Sequence, residues 1–252
     1  MGDTDREKAG QGWIDIHAHI LPGVDDGSSD WQESEKMLSV ACAQGIRHII
    51  ATPHFSRRQD IEQLKNLQRE LQKKADMMEK SVVISLGQEI LYFEELIQYL
   101  EQGRALTLAG SRYVLVEFLP GDGFGRLYRA VRSLVQASYL PVIAHAERYC
   151  CLGRRGRAGE LADCGAYLQV NAGSLKGGML DKQAAWCRKE ILNGTIHYIA
   201  TDMHGAVRRP PDIEGAAAWL AKQSRHMKQG EDWLTGQLFR ENQEFILRDA
   251  VL

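Results

Sequence analysis

Short runs rich in aliphatic and β-branched residues recur along the chain at Trp13–His17, Arg47–Thr52, Val82–Leu86, Tyr113–Phe118, Pro141–His145, Ala166–Asn171 and His197–Thr201. They predict seven strands. Between them, apolar residues return every three or four positions around 30–44, 59–80, 93–102, 125–138, 157–164 and 181–193, and helical patterns continue from about 212 to the end. One strand followed by one helix, repeated, is βα architecture. Strands such as VLVEF and PVIAH are almost continuously apolar, as expected when helices cover the outside and packed side chains fill the inside, so the pattern predicts an α/β barrel rather than an open sheet. Trp31, Met37 and Leu38 read as core, and the Lys and Glu residues of the 62–80 helix as a solvated face.

Composition narrows the class. The chain has 252 residues, 44% hydrophobic and 25% charged, which is an ordinary globular make-up and suits a single α/β barrel domain over 13–252. Residues 1–12 are too polar to bury anything and read as a disordered leader. A formal net charge of -2 supplies no global basic field, so nucleic acid is not expected as a partner. No apolar run is long enough to cross a bilayer and the first residues lack the apolar core of a signal peptide, so membrane insertion is not expected and a cytoplasmic location is. Cysteines at 42, 150, 151, 164 and 187 are odd in number and form no CxxC pair, which suits reduced thiols rather than disulfides or a thiolate zinc site.

The functional signal is positional. His17 and His19 form HxH at the end of the first predicted strand, where the period of two puts both imidazoles on one face, about 6.5 Å apart between Cα atoms. The following loop carries Asp25 and Asp26 before Gly27, so Asp26 can fold back over the same strand end. TPH closes the second strand at His54, the connection after the third supplies Glu89 in GQEI, and the fourth carries Glu117 inside an apolar run, where an unpaired carboxylate would be costly. The fifth delivers His145 and the seventh delivers Asp202 and His204. Each alone has an ordinary explanation: HxH is a weak motif, Asp25–Asp26–Gly27 makes a turn, Asp202 or Asp30 can cap a helix, and Glu89 suits a surface. Together they recur at the end of successive strands where βα barrels build active sites. Five histidines and four carboxylates are enough for two or three divalent ions.

The segments IDIHAHILPGVDDGS, ATPHF, GQEI, YVLVEF, IAHAERY, LQVNAGSLKG, ATDMHGAVRRPPD and LFREN, spread over nearly the whole chain, resemble the polymerase and histidinol phosphatase superfamily of metal-dependent phosphoesterases. The resemblance is closest to its CpsB/CapC-like branch, the manganese-dependent protein tyrosine phosphatases of Gram-positive bacteria that act on the tyrosine kinase machinery of capsule and exopolysaccharide synthesis. It implies a distorted (β/α)7 barrel and a phosphotyrosine-containing protein as substrate, the tail of a bacterial tyrosine kinase. Carried over by motif, its ligands fall on His17, His19, Asp26, His54, Glu89, Glu117, His145, Asp202 and His204, the residues already selected by chemistry. Its phosphate-binding arginines fall on Arg148 and Arg209. Two departures stand out: Ala146 where the family usually has proline, expected to loosen the loop that carries Arg148, and Thr201 where it usually has serine.

The expected chemistry is hydrolysis of a phosphate ester by metal-activated water, with arginine forks on the phosphoryl oxygens and no covalent intermediate. His17, His19, Glu117 and Asp202 can form one ion's shell with the other five ligands around its neighbours, a partition that the sequence does not fix. Imidazole and carboxylate suit Mn²⁺, Fe²⁺, Zn²⁺ or Co²⁺ equally, and only the resemblance selects manganese. Three rivals remain: a histidinol phosphate or other small phosphomonoester hydrolase on the same fold, a thiol phosphatase using Cys151 and Arg157 in CLGRRGR, and a metal-holding barrel that binds phosphotyrosine without turnover. Phe55, beside His54, suits either the mouth of the site or the core. Oligomeric state is not legible.

Overall fold

The computed structural model describes residues 12–178 and 180–252, so the expected polar leader lies outside the described residues except for Gly12. Eight parallel strands are described: β1 (Trp13–Ala18), β2 (Ile46–Ala51), β3 (Val83–Leu86), β4 (Glu89–Leu91), β5 (Tyr113–Glu117), β6 (Leu140–Ile143), β7 (Tyr167–Asn171) and β8 (Tyr198–Ala200). They form a three-stranded sheet, β1-β2-β3, and a five-stranded sheet, β4-β5-β6-β7-β8. Isolated parallel bridges join the two sheets, Ala18 to Met203 and His54 to Glu89.

The strand beyond the expected seven is β4. GQEI is not a plain connection: after β3 the chain steps away from β2, and Glu89–Leu91 pairs with Leu115–Glu117 of β5. Gly87 makes the step possible, because a Cβ there would stand 3.2 Å from the Cα of Leu108 and 3.3 Å from the carbonyl of Thr107. The outer edge of β3 is met by side chains: Ile84 N–H donates to Gln72 Oε1 at 2.6 Å and its carbonyl accepts from Gln68 Nε2 at 2.5 Å.

Helices follow the strands: α1 (Trp31–Ala43), α2 (Ile61–Asp76), α3 (Leu96–Glu101), α4 (Phe124–Gln136), α5 (Arg157–Asp163), α6 (Lys182–Leu192) and α7 (Ile213–His226), then α8 (Trp233–Gly236), a π turn and α9 (Asn242–Leu247). Asp30, Asp60 and Asp181 cap α1, α2 and α6 by accepting first-turn N–H groups, satisfying donors that a helix start leaves unpaired. α2 stops at Asp76, short of the expected residue 80, and Lys65–Glu62 and Lys73–Glu70 pairs line its exposed side. The core falls into two clusters: Ile16, Leu115 and Val142 are buried with Tyr113 and Tyr198 in one, while Ile49 and Ile199 are buried with Met37 and Leu38 of α1 in the other. The consequence is positional. His17, His19, His54, Glu117, His145 and Asp202 all sit at or within three residues of a strand's C-terminal end, and the His54–Glu89 bridge brings the start of β4 to the same place.

Candidate metal centre

All nine acid and imidazole side chains expected at the site converge. Their hub is Glu89, 1% exposed, whose Oε2 lies 3.2 Å from His17 Nε2, 3.1 Å from His19 Nε2 and 3.1 Å from His54 Nδ1, while Oε1 lies 2.7 Å from His145 Nε2. Glu89 is thus no surface residue. Asp202 Oδ1 stands 3.5 Å from both His17 Nε2 and His204 Nδ1, and Asp26 Oδ1 is 3.5 Å from His54 Nε2 and 3.4 Å from His204 Nε2. Three groups could each hold a metal ion: His19, Asp26, His54 and His204; His17, His19 and Asp202; and His54, Glu89 and Glu117. Glu117 falls in the last of these groups, 3.4 Å from His54.

Donor type and spacing fit divalent cations. His17 Nε2 and His19 Nε2 are 3.2 Å apart, as two nitrogens on one tetrahedral ion with bonds of about 2.0–2.1 Å would be, at about 3.3 Å. Nitrogen and oxygen ligands without thiolate suit first-row divalent ions. Electrostatics point the same way. Burial alone would push His17 down, but the carboxylates of Glu89 and Asp202 outweigh it and raise it to about 10. His54 is raised to about 9 against its own burial by Glu117 and Glu89, and His19 is raised by Asp25 and Glu89. Burial opposes ionisation of Glu89, yet His17 and His145 hold it well below the usual carboxylate range. His204, buried and close to His19, is lowered to about 4.

Local sequence explains how the site is assembled. Gly27 lets the Asp25–Asp26 loop fold against β1, since a Cβ there would lie 2.2 Å from the carbonyl oxygen of His19. His145 and Asp202 turn out of their strands with left-handed backbones, φ 34° and 52°, and Arg209 does the same at 58°. Non-glycine residues rarely adopt that region, and such strain is concentrated at functional sites. Arg148 and Arg209 reach the site as expected: each donates from Nη2 to Asp202 Oδ2, at 2.6 Å and 2.7 Å, and each is over a third exposed. In the turn that Ala146 begins, the Arg148 N–H donates to the His145 carbonyl at 2.9 Å. Thr201 donates from its hydroxyl to buried Asp15 at 2.5 Å, tying β8 to β1.

Sequence reasoning missed the residues behind the ligands. Asp25, set aside in favour of Asp26, accepts from His19 Nδ1 at 2.7 Å, from the His54 N–H at 2.9 Å and from the Gly27 N–H at 3.1 Å. The carboxylate–imidazole–metal arrangement was the signal available, in the second acid of the pair. Phe55 stacks on Phe93, with ring centroids 5.3 Å apart, and is partly buried against the core. Cys151 sits in a 3-10 turn well past β6, its thiol pushed up by burial, and Arg157 is paired with Glu160.

Residues 13–248 match the family model for capsular polysaccharide synthesis, CpsB/CapC. The chain belongs to the CpsB/CapC family. Tyrosine-protein phosphatase CpsB of Streptococcus pneumoniae is 31% identical to this CpsB/CapC chain over 95% of it and 100% of the relative. Tyrosine-protein phosphatase YwqE of Bacillus subtilis is 32% identical over 95% of this chain and 93% of its own. A crystal structure from work on YwqE and CpsB, described as unique metal-dependent tyrosine phosphatases, superposes with a TM-score of 0.83 at 30% identity, covering 95% of this chain and 96% of that one. An organophosphorus hydrolase variant from Deinococcus radiodurans, TM-score 0.57 at 14% identity over 93% and 92% of the two chains, shares the fold alone. The CpsB/CapC fold is mixed α/β with parallel sheets, and among the described residues no helix is long and apolar enough to cross a membrane.

Proposed function

We propose that this chain is a metal-dependent protein tyrosine phosphatase whose ligands are His17, His19, Asp26, His54, Glu89, Glu117, His145, Asp202 and His204. One observation carries the reading: both oxygens of buried Glu89 face imidazole nitrogens, three at 3.1–3.2 Å and a fourth at 2.7 Å, as a carboxylate shared between neighbouring ions would. Bound divalent ions would supply Lewis acidity and a water made nucleophilic near neutral pH. The chain's own groups do the rest. Arg148 and Arg209 present planar forks, with one edge on Asp202 Oδ2, to phosphoryl oxygens entering the mouth, and remain charged through the pH range. Asp25 and Gly27 hold the loop that delivers Asp26. Phenolate leaves with a pKa near 10, so protonation of the leaving oxygen is less demanding than for an alkyl ester.

Two or three ions, with manganese favoured by the family resemblance over iron, zinc or cobalt, match the three overlapping ligand groups. The two bridges between sheets support a seven-stranded barrel with β3 and β4 as one interrupted stave, in a single domain over 13–252. The family's link to capsular polysaccharide synthesis favours a phosphorylated tyrosine kinase tail in the cytoplasm as substrate. Stripping metal, restoring Mn²⁺ and comparing hydrolysis of a phosphotyrosine peptide with histidinol phosphate tests the reading, with His17→Ala as control. Turnover that ignores the metal, or that prefers histidinol phosphate, would refute it. Peptide binding without phosphate release would leave a non-catalytic barrel.

A further inference from the structure

β7 lies between the strands that lead to His145 and Asp202, yet it contributes none of the nine ligands. Toward the site it places two neutral amides two residues apart, Gln169 and Asn171, 0% and 7% exposed. Their orientation follows from one fixed donor. The His145 backbone N–H can only donate, and it meets Gln169 Oε1 at 2.9 Å. Gln169 Oε1 is therefore an acceptor, so the His17 Nδ1 that faces it at 3.1 Å carries a proton and leaves Nε2 for the cluster. Gln169 Nε2 must then donate, to Asn171 Oδ1 at 2.9 Å, and Asn171 Nδ2 in turn donates to Asp202 Oδ2 at 2.7 Å. With the Asn171 amide, Arg148 and Arg209 all donating to Oδ2, the other oxygen of Asp202 is turned toward His17 and His204. The backbone of Asn171 is itself tied, since its N–H donates to half-buried Glu147 Oε1 at 3.1 Å.

We propose that Gln169 and Asn171 are positioning residues acting as one directional unit, which fixes the tautomer of His17 and the orientation of Asp202 and so sets the affinity of the site for its cation. The inference rests on the reading of the nine side chains as a metal centre. It assigns a function to the QVN of the seventh strand, which neither ligand chemistry nor phosphate binding uses. Partners behind metal ligands change metal affinity by about 10- to 100-fold when removed, and members of one unit are not additive.

The test uses metal-stripped full-length protein titrated with Mn²⁺ and followed by electron paramagnetic resonance. Gln169→Leu and Asn171→Leu should each weaken Mn²⁺ binding about 10- to 100-fold, and the double variant should be no weaker than about three-fold below the worse single one. In the cobalt-loaded protein, the shifted, solvent-protected proton on His17 Nδ1 should vanish in Gln169→Leu but persist in Gln169→Glu, which keeps the acceptor while replacing the amide donor with a second, charged acceptor oxygen. That contrast is indifferent to a general loss of packing, and Gln169→Glu carries the test if a leucine variant does not fold. Binding within about two-fold of wild type in both leucine variants, independent multiplying losses, or a proton signal retained in Gln169→Leu would overturn the proposal. Wild-type protein that takes up no Mn²⁺ would instead sink the metal centre itself.

Discussion

Replacing Gly27 by alanine adds one methyl group at a position with no room for it. The new Cβ would lie 2.2 Å from the carbonyl oxygen of His19 and 2.4 Å from the His19 Cβ, where ordinary contact begins at 3.4 Å. β1 cannot yield, because its residues are buried and paired with β2 and its end is bridged to Met203. The loop must therefore lift by about 1 Å, which stretches the bonds that hold it, Ser28 N–H to the His19 carbonyl at 3.0 Å and His19 Nδ1 to Asp25 at 2.7 Å. Overpacking of this kind costs about 1–3 kcal/mol, which for a chain of this size lowers Tm by about 2–10 °C. The functional loss should exceed the structural one. Asp26 rides on the displaced loop, and a misplacement of about 1 Å at a reacting centre can lower turnover about 100-fold. Thermal unfolding, Mn²⁺ titration and phosphotyrosine-peptide hydrolysis read the three effects. A Gly27→Ala protein with unchanged Tm and wild-type turnover would show that the loop is not held against β1 as described.

His48, fully buried, is lowered by that burial from 6.5 to about 4, so in the folded state it stays neutral while the unfolded chain binds a proton; its contribution is intact above pH 6.5 and falls by about 3 kcal/mol as pH drops to 4. Urea unfolding of metal-free protein at pH 7 and pH 4.5 should show a smaller acid loss in His48→Gln than in wild type, and equal losses would refute the assignment. Arg209→Lys keeps the charge but not the fork, and kcat/KM for phosphopeptide should fall at least about ten-fold in steady-state assays, a smaller effect counting against phosphate contact. Cys151→Ser should retain activity within about two-fold while a chelator abolishes it; the reverse pattern would restore a thiolate mechanism. Metal loading at pH 7.5 should release protons from His17 and His54, which stand at about 10 and 9, and the release should shrink as pH approaches 10 when measured by calorimetry in buffers of different ionisation heat.

The strands and ligands were legible because both depend on residue type at a fixed period. An apolar run ending in histidine or acid names a strand and its last side chain, and seven of the nine candidate side chains lie at or just past such strand ends, with Asp26 on the loop after His19. Glu89 was placed by the same reasoning but on the wrong kind of element. GQEI offers three residues of strand after a break, too short a run to show a period, and its pairing with β5 depends on Leu108 and Thr107 crowding Gly87 from far along the chain. Asp25, Gln169 and Asn171 were not legible for a related reason. Their function lies in which atom donates to which, and that direction is set by a backbone N–H from a neighbouring strand rather than by anything adjacent in sequence. Rivals separated for the same reason: CLGRRGR satisfies a spacing, but its thiol is raised by burial and its arginine faces Glu160.

The balance of charge explains why so many acids can share one interior. Asp25, Asp26, Glu89, Glu117 and Asp202 bring five carboxylates together, and Arg148 and Arg209 return two positive charges through Asp202. Of the three negative charges that remain, Asp26 is solvated, and the other two would be expensive to bury if left uncompensated. His17, His19 and His54, all raised, can make up that difference with protons, each held by a carboxylate that would otherwise face another. Protons and divalent cations thus compete for the same positions, which ties folding of the mouth, uptake of metal and pH into one equilibrium. Distribution matters as much as sum. Glu89, with imidazoles on both oxygens, is central, whereas the arginines approach Asp202 from the side open to solvent, so positive charge that does not belong to the cluster is presented where an anionic ester would enter. A site that only stored cations would have no need to aim two half-exposed guanidiniums outward from buried Asp202.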